Sequence, residues 1–510
     1  MDKSDIKVSA VVFILSLLVS VPIIFYSPNV FDEGLIYYGA ERIADGHMPY
    51  EDGLTYYAPG HLYGMALAFS LFGYSINVGR AYFAVLNAVM AVAAYLICRK
   101  LGIPKRFSVL SSIIFIFLVQ RYLYISVSRV LFGAVSMLFA LHYGSRLDRK
   151  WLWLTGIALG LSLICSQEIG AFALISVLVY MFFVWRGQKK KIIAGNYLLL
   201  IAGVAVIVVP TLLFFLANGV INGLIYSLFW FPVTRFALYN RLPFPNIFES
   251  QGALDVLRAS LFYYVIILYM IGIAYAALAM RRGAKDGFTR GLLLMSLFGI
   301  LSYYQATVRA DTFHLMFVIF PALVVQSCLL HELYAAKCKL KLLRILKIAI
   351  VMAIPASLII YGAYTNTYSI SSNYFSKNYN WWSGDRAIFL YKTEKVEQIN
   401  EIINIVKNNT VNGDYIFTFP HPSLFYFLTD RDNPTGFNHL VVGDSTPEQQ
   451  LKIIEQLSEK MPKIMIHGKD WDQYGSAFSD YAKPVFDYIV QNYYLYKTIG
   501  PYDIYMINAA

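Results

Sequence analysis

The feature that most constrains the fold is a series of long apolar segments between residues 8 and 363. A helix needs about 20 apolar residues to cross the hydrocarbon core of a bilayer. By that rule the sequence predicts about eleven spans, at residues 8–27, 77–97, 107–120, 125–143, 152–166, 169–185, 196–216, 260–280, 290–304, 313–331 and 345–363. Only 14% of the 510 residues are charged, whereas soluble proteins carry about 25%. The chain is therefore predicted to be a polytopic α-helical membrane protein.

Lysine and arginine residues are concentrated in the short loops that follow the second, fourth, sixth, eighth and tenth predicted spans. These loops share a side with the N-terminus, and the positive-inside rule makes that side cytoplasmic. An odd number of spans then places the C-terminal region outside the cytoplasm. The net charge of +11 follows from these loops, so it indicates no nucleic-acid partner. The first apolar segment lacks an Ala-x-Ala cleavage site and is predicted to be a retained helix.

The sequence predicts two domains. Residues 1–364 are predicted to form a transmembrane catalytic module with two long outer loops, at residues 28–76 and 217–259. Residues 365–510 are predicted to form a soluble extracytoplasmic α/β domain, because helical periodicity alternates there with short apolar runs typical of strands. Its predicted elements are helices at 394–407 and 447–460, strands at 415–419 and 463–467, and a terminal hairpin at 494–499 and 502–507.

The two outer loops contain candidates for short helices on the membrane surface. Residues 34–44 and 59–72 of the first loop are predicted to be helical, the latter because proline suits the first turn of a helix. The other loop is amphipathic and aromatic, which is typical of a segment lying along a membrane. We expect Tyr57 and His61 of the first loop and Arg235 of the second to contact a substrate.

Ionisable residues gather at the predicted outer ends of the spans. They are Asp32 and Glu33 after the first span, Arg80 and Arg129 near the starts of the second and fourth, Glu168 between the fifth and sixth, and Arg309, Asp311 and His314 between the ninth and tenth. Such residues are costly at membrane depth and therefore indicate function. Because all of them are predicted to lie on one side of the membrane, one shared outer cavity could hold them.

Most of these residues also have a structural interpretation. Asp32 could cap the helix that follows it, and Glu168 could simply be the polar turn of a tight helical hairpin. Arg309 and His314 could be interfacial side chains that reach toward water. The arginines near the starts of spans two and four could form structural ion pairs or contact lipid head groups.

Carboxylates beside arginines at a membrane surface suit a lipid-linked anionic substrate. Arginine binds phosphate through a planar fork of donors, and a nearby carboxylate can accept the proton of an attacking hydroxyl. Aromatic side chains in the loops can stack on the faces of sugars. The sequence contains neither a Walker loop nor the glycine pattern of a dinucleotide-binding fold, so no nucleotide-sugar site is expected.

Four short motifs resemble those of GT-C fold glycosyltransferases of the glycosyltransferase 39/83-like group. That group includes protein O-mannosyltransferases and the aminoarabinose transferase of lipid A. The motifs are Phe31-Asp32-Glu33-Gly34, Tyr57-Ala58-Pro59-Gly60-His61, Ser166-Gln167-Glu168-Ile169-Gly170 and Arg309-Ala310-Asp311-Thr312-Phe313-His314. Within the outer domain, Phe419-Pro420-x-Pro422 resembles bacterial members of the group.

The resemblance implies an enzyme of the plasma or inner membrane. It would move a sugar, with inversion, from a polyprenyl-phosphate carrier to a hydroxyl of a glycan, lipid or protein in the cell envelope. By similarity Asp32 would be the catalytic base, and Arg309 with His314 would approach the donor phosphate. The remaining candidates for substrate contacts are Glu33, Tyr57, His61, Arg80, Arg129, Glu168, Arg235 and Asp311. A divalent metal is a further expectation if Asp32, Glu33 and Glu168 converge.

Other functions remain open at this point. Trp381-Trp382-Ser383-Gly384-Asp385 is similar to the Trp-Trp-Asp motif of oligosaccharyltransferase subunits, although Ser and Gly intervene. A transporter or flippase for lipid-linked glycans would show repeats and polar residues at the midplane of the membrane, whereas the charges here lie at the ends of the spans. A non-catalytic scaffold of the envelope would not depend on Asp32.

Overall fold

The computed structural model describes residues 2–51, 53–121, 126–250, 252–337, 341–469 and 476–508. The chain divides into two compact units. The first unit consists of Met1–Ile23, Phe83–Leu213 and Arg241–Ser371. The second consists of Ile24–Tyr82, Phe214–Asn240 and Ser372–Ala510.

A helix is present at each of the eleven predicted spans. The bounds are Lys3–Ile24, Ile76–Lys100, Lys105–Leu118, Val127–Arg146, Arg149–Cys165, Gln167–Trp185, Lys190–Ala217, Ala253–Arg281, Gly287–Ser302, Thr312–Ala335 and Lys341–Gly362. The sequence predicted where these helices occur because each has the composition that a bilayer requires. Most begin or end a few residues from the predicted position.

Nine helices in the described part of the chain are long and apolar enough to cross a membrane. Two of the eleven predicted spans fall short of that length: Lys105–Leu118 has 14 residues and Arg149–Cys165 has 17. At 1.5 Å per residue they are about 21 and 26 Å long, against a hydrocarbon core of about 30 Å. The count of eleven spans therefore stays a prediction, while the polytopic helical membrane fold is confirmed.

The helices of the first unit differ in how much apolar surface they expose. Thr312–Ala335 is the most enclosed of the nine, with 83% of its most apolar window buried. Lys3–Ile24 and Lys190–Ala217 bury only 17% of theirs, and Leu18 and Leu198 are mostly exposed. A helix that is apolar on all sides belongs either in a core or in lipid. The enclosed helix fits the first case and the two exposed helices fit the second.

The second unit contains a four-stranded sheet. Its strand order is Ile416–Phe419, Ile464–Gly468, Tyr502–Ile507, Tyr493–Ile499. The first two strands are parallel and the remaining pairs are antiparallel. The two parallel strands are largely buried, as strands covered on both faces are, whereas Tyr502–Ile507 is mostly half-buried. The predicted strands and the terminal hairpin are thereby confirmed to within one residue at each end.

Helices complete the second unit. They are Asp32–Ala44, Pro59–Phe72, Ile221–Ile225, Ala237–Tyr239, Thr393–Asn409, Leu424–Thr429, Pro447–Lys460, Phe478–Tyr481 and Lys483–Asn492, with π-helical turns at Tyr226–Trp230 and Pro232–Phe236. Pro447–Lys460 begins with a capping box, in which Thr446 and Gln449 each bond the other's backbone N–H. The sequence did not predict the hairpin of Tyr379–Gly384 and Ala387–Lys392, which contains the Trp-Trp motif.

The hydrophobic core of the second unit explains why three separate segments of the chain belong to it. Leu54 of the first outer loop and Phe231 of the other loop pack in the same apolar cluster as Phe417, Leu457 and Val485 of the C-terminal region. The structure thus groups much of the two loops with residues 372–510, whereas the sequence analysis grouped them with the transmembrane module. The predicted division into a catalytic module that ends at residue 364 and a soluble domain that begins at residue 365 stays a prediction.

Candidate active site

Asp32 is the first residue of the helix Asp32–Ala44, which we call the first-loop helix. The backbone N–H groups of Phe31 and Asp32 donate to Asn29 Oδ1, at 3.1 and 3.0 Å. The side-chain nitrogen Nδ2 of Asn29 in turn donates to Asp32 Oδ2 at 2.8 Å. Asp32 is therefore not the cap of this helix: Phe31 occupies the N-cap position, and Asn29 accepts from the first N–H of the helix. The Asp32 carboxylate is half-buried at a helix N-terminus, where negative charge is stabilised.

Glu33 points into the protein, away from the direction of Asp32. Arg80 Nε donates to Glu33 Oε1 at 2.6 Å, and Arg80 Nη2 donates to Glu33 Oε2 at 2.7 Å. The hydroxyl of Tyr37 and the backbone N–H of Asn29 supply two further hydrogen bonds to the same carboxylate. Both charged side chains are buried. Neighbouring residues of the predicted motif thus have different surroundings because they project about 100° apart on a helix.

The last residue of the motif, Gly34, lies where there is no room for a side chain. A Cβ atom at this position would lie 2.3 Å from the backbone nitrogen of Leu424. That nitrogen donates to the carbonyl of Val30 at 3.1 Å. The close approach fixes the first-loop helix against the helix Leu424–Thr429, so any side chain at position 34 would force the two backbones apart.

Glu33 is poorly suited to act as a ligand of the predicted metal ion. Four donors already occupy its two oxygens, which leaves a poor ligand for a divalent cation. Among the residues that the structure describes, no group of three or more His, Cys, Asp or Glu side chains is placed to hold a metal ion. Asp32 and Glu168 belong to different units. Use of a divalent metal therefore stays a hypothesis.

The loop residues that were predicted to contact substrate pack against, or hydrogen-bond to, other residues of the second unit. The ring of Tyr57 lies 5.0 Å from that of His61, between ring centroids, and His61 is fully buried. Arg235 Nε donates to the carbonyl of Gly443 at 2.9 Å, and its Nη2 donates to the carbonyl of Ser445 at 3.4 Å. Arg235 thus holds the backbone of a C-terminal loop.

That loop contains a polar cluster that the sequence analysis missed. Asp444 is fully buried and accepts hydrogen bonds from the hydroxyl of Tyr56 and the backbone N–H of Val441, and its carboxylate pairs with His439 Nδ1. The rings of Tyr56 and His439 lie 4.2 Å apart. Phe31, the residue before Asp32, packs edge-on against His439. Tyr56 lies 388 residues before Asp444, so no local pattern could have indicated that these side chains meet.

In the first unit, one carboxylate organises the Arg309 motif. Asp311 caps the helix Thr312–Ala335 by accepting from the backbone N–H of His314 at 2.8 Å. It also accepts from Arg309 Nε at 2.9 Å and contacts His314 Nδ1 at 2.9 Å. Burial raises the pKa of the Asp311 carboxyl, but the hydrogen bonds and charge of His314 and the hydrogen bond from Arg309 outweigh it and lower the pKa to about 2.

Two further predicted residues lie near this motif. Glu168, in the first turn of Gln167–Trp185, accepts a hydrogen bond from Gln305, four residues before Arg309. The guanidinium of Arg129 lies over the ring of Phe317, 5.2 Å from its centroid, and that ring also contacts His314. Within the first unit the structure thus connects all five predicted residues through direct contacts or short stretches of chain.

The predicted residues therefore form two groups. Asp32, Glu33, Tyr57, His61, Arg80 and Arg235 lie in the second unit, and Arg129, Glu168, Arg309, Asp311 and His314 lie in the first. A cavity shared by all of them stays a prediction. Asn29 was not among the predicted site residues, although an Asn just before a helical motif is a recognisable signal of a helix start.

Comparison with solved structures identifies the fold of the chain. No family model matches the sequence, and no curated protein matches it. A crystal structure of ArnT from Cupriavidus metallidurans bound to undecaprenyl phosphate matches with a TM-score of 0.56 and 12% identity, over 99% of this chain and 98% of that chain. The apo state of that protein matches with a TM-score of 0.58 and 12% identity, over 98% and 96%. The chain has the fold of ArnT.

ArnT is a GT-C aminoarabinose transferase, so the GT-C fold expected from the four motifs is confirmed. The match extends over nearly the whole of both chains, including the C-terminal sheet domain. At 12% identity the likeness concerns the fold, and the activity of this chain is a matter for proposal.

Proposed function

We propose that the chain is an integral membrane glycosyltransferase that moves a sugar from a polyprenyl-phosphate carrier to a hydroxyl of a glycan, lipid or protein. The observation that carries the proposal is the ArnT fold over nearly the entire chain, in a neighbour that holds undecaprenyl phosphate. The two charged groups described above supply the chemical reason. One contains a half-buried carboxylate, and the other an arginine whose two terminal nitrogens bond no described residue.

In the proposed reaction the acceptor oxygen bonds to the anomeric carbon of the sugar. The bond from that carbon to the phosphate oxygen breaks, and polyprenyl phosphate leaves with the bonding electrons. Asp32 takes the proton of the acceptor hydroxyl, since a carboxylate near a weak nucleophile acts as a general base. Direct displacement inverts the anomeric configuration.

Arg309 is the proposed ligand of the donor phosphate. Asp311 holds its Nε, and its two terminal nitrogens have no hydrogen bond to any residue in the described ranges. That arrangement orients the fork of the guanidinium and leaves it available to a phosphate. His314, held by the same carboxylate, is the proposed second ligand.

We place the reaction outside the cytoplasm. The basic loops favour a cytoplasmic N-terminus. Eleven and nine are both odd counts of spans, so either number puts the C-terminal region on the opposite side from the N-terminus. The acceptor would then be a component of the cell envelope.

The test uses purified full-length protein in liposomes with radiolabelled undecaprenyl-phosphate sugars and an extract of envelope glycans, lipids and proteins. We expect label to move from the lipid carrier to the acceptor fraction, and no transfer from nucleotide sugars. Consumption of nucleotide sugars alone, or failure to bind undecaprenyl phosphate and to consume any carrier-linked sugar, would overturn the proposal.

A further inference from the structure

A polar cavity of about 320 Å³ lies within the second unit. One side is formed by the first-loop helix, through Leu35, Gly39 and Arg42. Residues 47–51 and 53–57 and the segment 432–439 form the rest of the wall together with the end of Pro447–Lys460. The volume is in the range of about 300–1,000 Å³ that is typical of sites for small molecules.

The wall of the cavity combines both signs of charge with several phenol rings. The carboxylates are those of Glu51, Asp432 and Glu459, the permanent cations are Arg42 and Lys460, and two histidines and four tyrosines complete the polar lining. Three carboxylates against two permanent cations do not suit a phosphate, which needs an excess of positive donors. Alternating donors, acceptors and amphipathic rings suit the hydroxyl groups and C–H faces of an uncharged saccharide.

The cavity is built on a rigid loop. Asn433 Oδ1 accepts from the N–H and hydroxyl of Thr435, and its Nδ2 donates to the carbonyl of Phe437 at 2.7 Å. The N–H of Asn433 donates to the hydroxyl of Tyr38 in the first-loop helix at 2.8 Å. These bonds fix the wall before any ligand arrives, which lowers the entropic cost of binding.

The other wall is fixed by backbone packing. A Cβ atom at Gly53 would lie 1.8 Å from the carbonyl oxygen of Gly436. The two loops approach so closely that only glycine fits there. The cavity is therefore held open by a defined contact between two parts of the chain that lie far apart in sequence.

Asp32 shares a helix face with this cavity. Gly39 and Ile43 line the cavity, and at 100° per residue they fall within about 20° of Asp32 around the first-loop helix. Phe31 also contacts His439, which lies in the opposite wall. Glu33, by contrast, projects toward Arg80. The candidate base and the cavity thus lie along one side of one helix.

We propose that this cavity binds the saccharide part of the acceptor, as an uncharged, hydroxyl-rich sugar. The assignment to the acceptor rests on the proposed glycosyl transfer, whereas the binding of a saccharide does not. Asp444 holds His439 at Nδ1, and this leaves Nε2 of that ring to bond a sugar hydroxyl.

The test is binding of full-length protein in detergent to immobilised neutral mono- and oligosaccharides, with phosphorylated and sulfated saccharides on the same surface. The key variant is Gly39→Phe. A Cβ at this position meets only Leu62 Cδ2, at 3.8 Å, and Leu62 also lines the cavity. The added ring should therefore fill the cavity with little strain. Gly195→Phe makes the same change at a helical glycine of the first unit with open space around it.

We expect the wild type and Gly195→Phe to retain neutral saccharides and Gly39→Phe to lose at least about tenfold in affinity. Should Gly39→Phe fail to fold, the exposed pair Glu459→Ala/Lys460→Ala provides the second test, with the same loss expected. Capture of phosphorylated or sulfated saccharides only, equal retention by the filled variant, or no retention by the wild type would overturn the proposal. Because this measurement needs no donor, turnover of carrier-linked sugar in the same preparation tests the proposed transfer separately.

Discussion

Glu33 and Arg80 form a bidentate ion pair that is almost completely excluded from solvent, with side-chain exposures of 0% and 2%. Arg80 also donates to the carbonyls of Ile24, Tyr26 and Ser27. One guanidinium therefore connects the end of the first apolar helix, the turn after it and the start of the first-loop helix. Asn29 links the pair to Asp32, because its backbone N–H donates to Glu33 and its side chain donates to Asp32.

Glu33→Gln should lower stability. It leaves a buried guanidinium without its counter-charge, and breaking a buried pair costs about 3–5 kcal/mol. We expect a lower midpoint of thermal unfolding in detergent and a lower yield of folded protein. The double variant Glu33→Gln/Arg80→Met removes both charges and should recover part of the loss. A Glu33→Gln protein with wild-type stability and no turnover would assign Glu33 to the chemistry instead.

Arg309→Ala should weaken binding of the donor. A hydrogen bond between charged groups is worth about 1.5–3 kcal/mol, which corresponds to a tenfold to hundredfold change in affinity. Binding of undecaprenyl phosphate can be followed by its protection against thermal unfolding. Lys191→Ala removes the same charge from an exposed position in a basic loop and should bind normally. Equal affinity in both variants would remove Arg309 from the donor site.

Asp311 should make stability depend on pH. Its folded pKa of about 2 lies below the ordinary value of 3.8, so its stabilising effect is complete above pH 3.8 and is lost as the pH falls through 2. The shift corresponds to about 2 kcal/mol at neutral pH. Asp311→Asn keeps a good capping residue and should be less stable at pH 6, with a smaller difference at pH 3. A difference that does not change with pH would contradict the ionic role.

The sequence predicted the helices of this fold better than the contacts of its site. Apolar segments are required to cross a bilayer, so their positions are visible in composition alone. The helix Pro59–Phe72 was predicted to the residue because proline marks its first turn. The cluster of Tyr56, His439 and Asp444 depends on distant segments that meet only in the folded protein. The pairing of Glu33 with Arg80 was likewise not predicted, because the two residues lie 47 positions apart in the sequence.

The two sides of the membrane can be labelled separately. Among the described residues the three cysteines are buried, so a variant lacking all four native cysteines gives a clean background. Cysteines at Lys189 and Asn378, which are both exposed, should react with an impermeant maleimide from opposite sides of sealed vesicles. Reaction of both from one side would exclude the predicted topology.

Asp32 carries the sharpest prediction. The acceptor hydroxyl is a weak nucleophile, and a positioned base contributes typically about 10²–10⁴-fold to such a reaction. Asp32→Asn keeps the shape of the side chain and an oxygen that can accept from Asn29, but it removes the base. We expect normal stability and donor binding, with turnover reduced at least about 10²-fold. Asp45→Asn makes the same change at the exposed end of the same helix and should leave turnover unchanged. Because Asn29 accepts from two N–H groups at the start of the helix, Asn29→Ala should instead lower stability, by about 0.5–1.5 kcal/mol for each hydrogen bond lost. Near-normal turnover in purified Asp32→Asn protein would reject the assignment of the base.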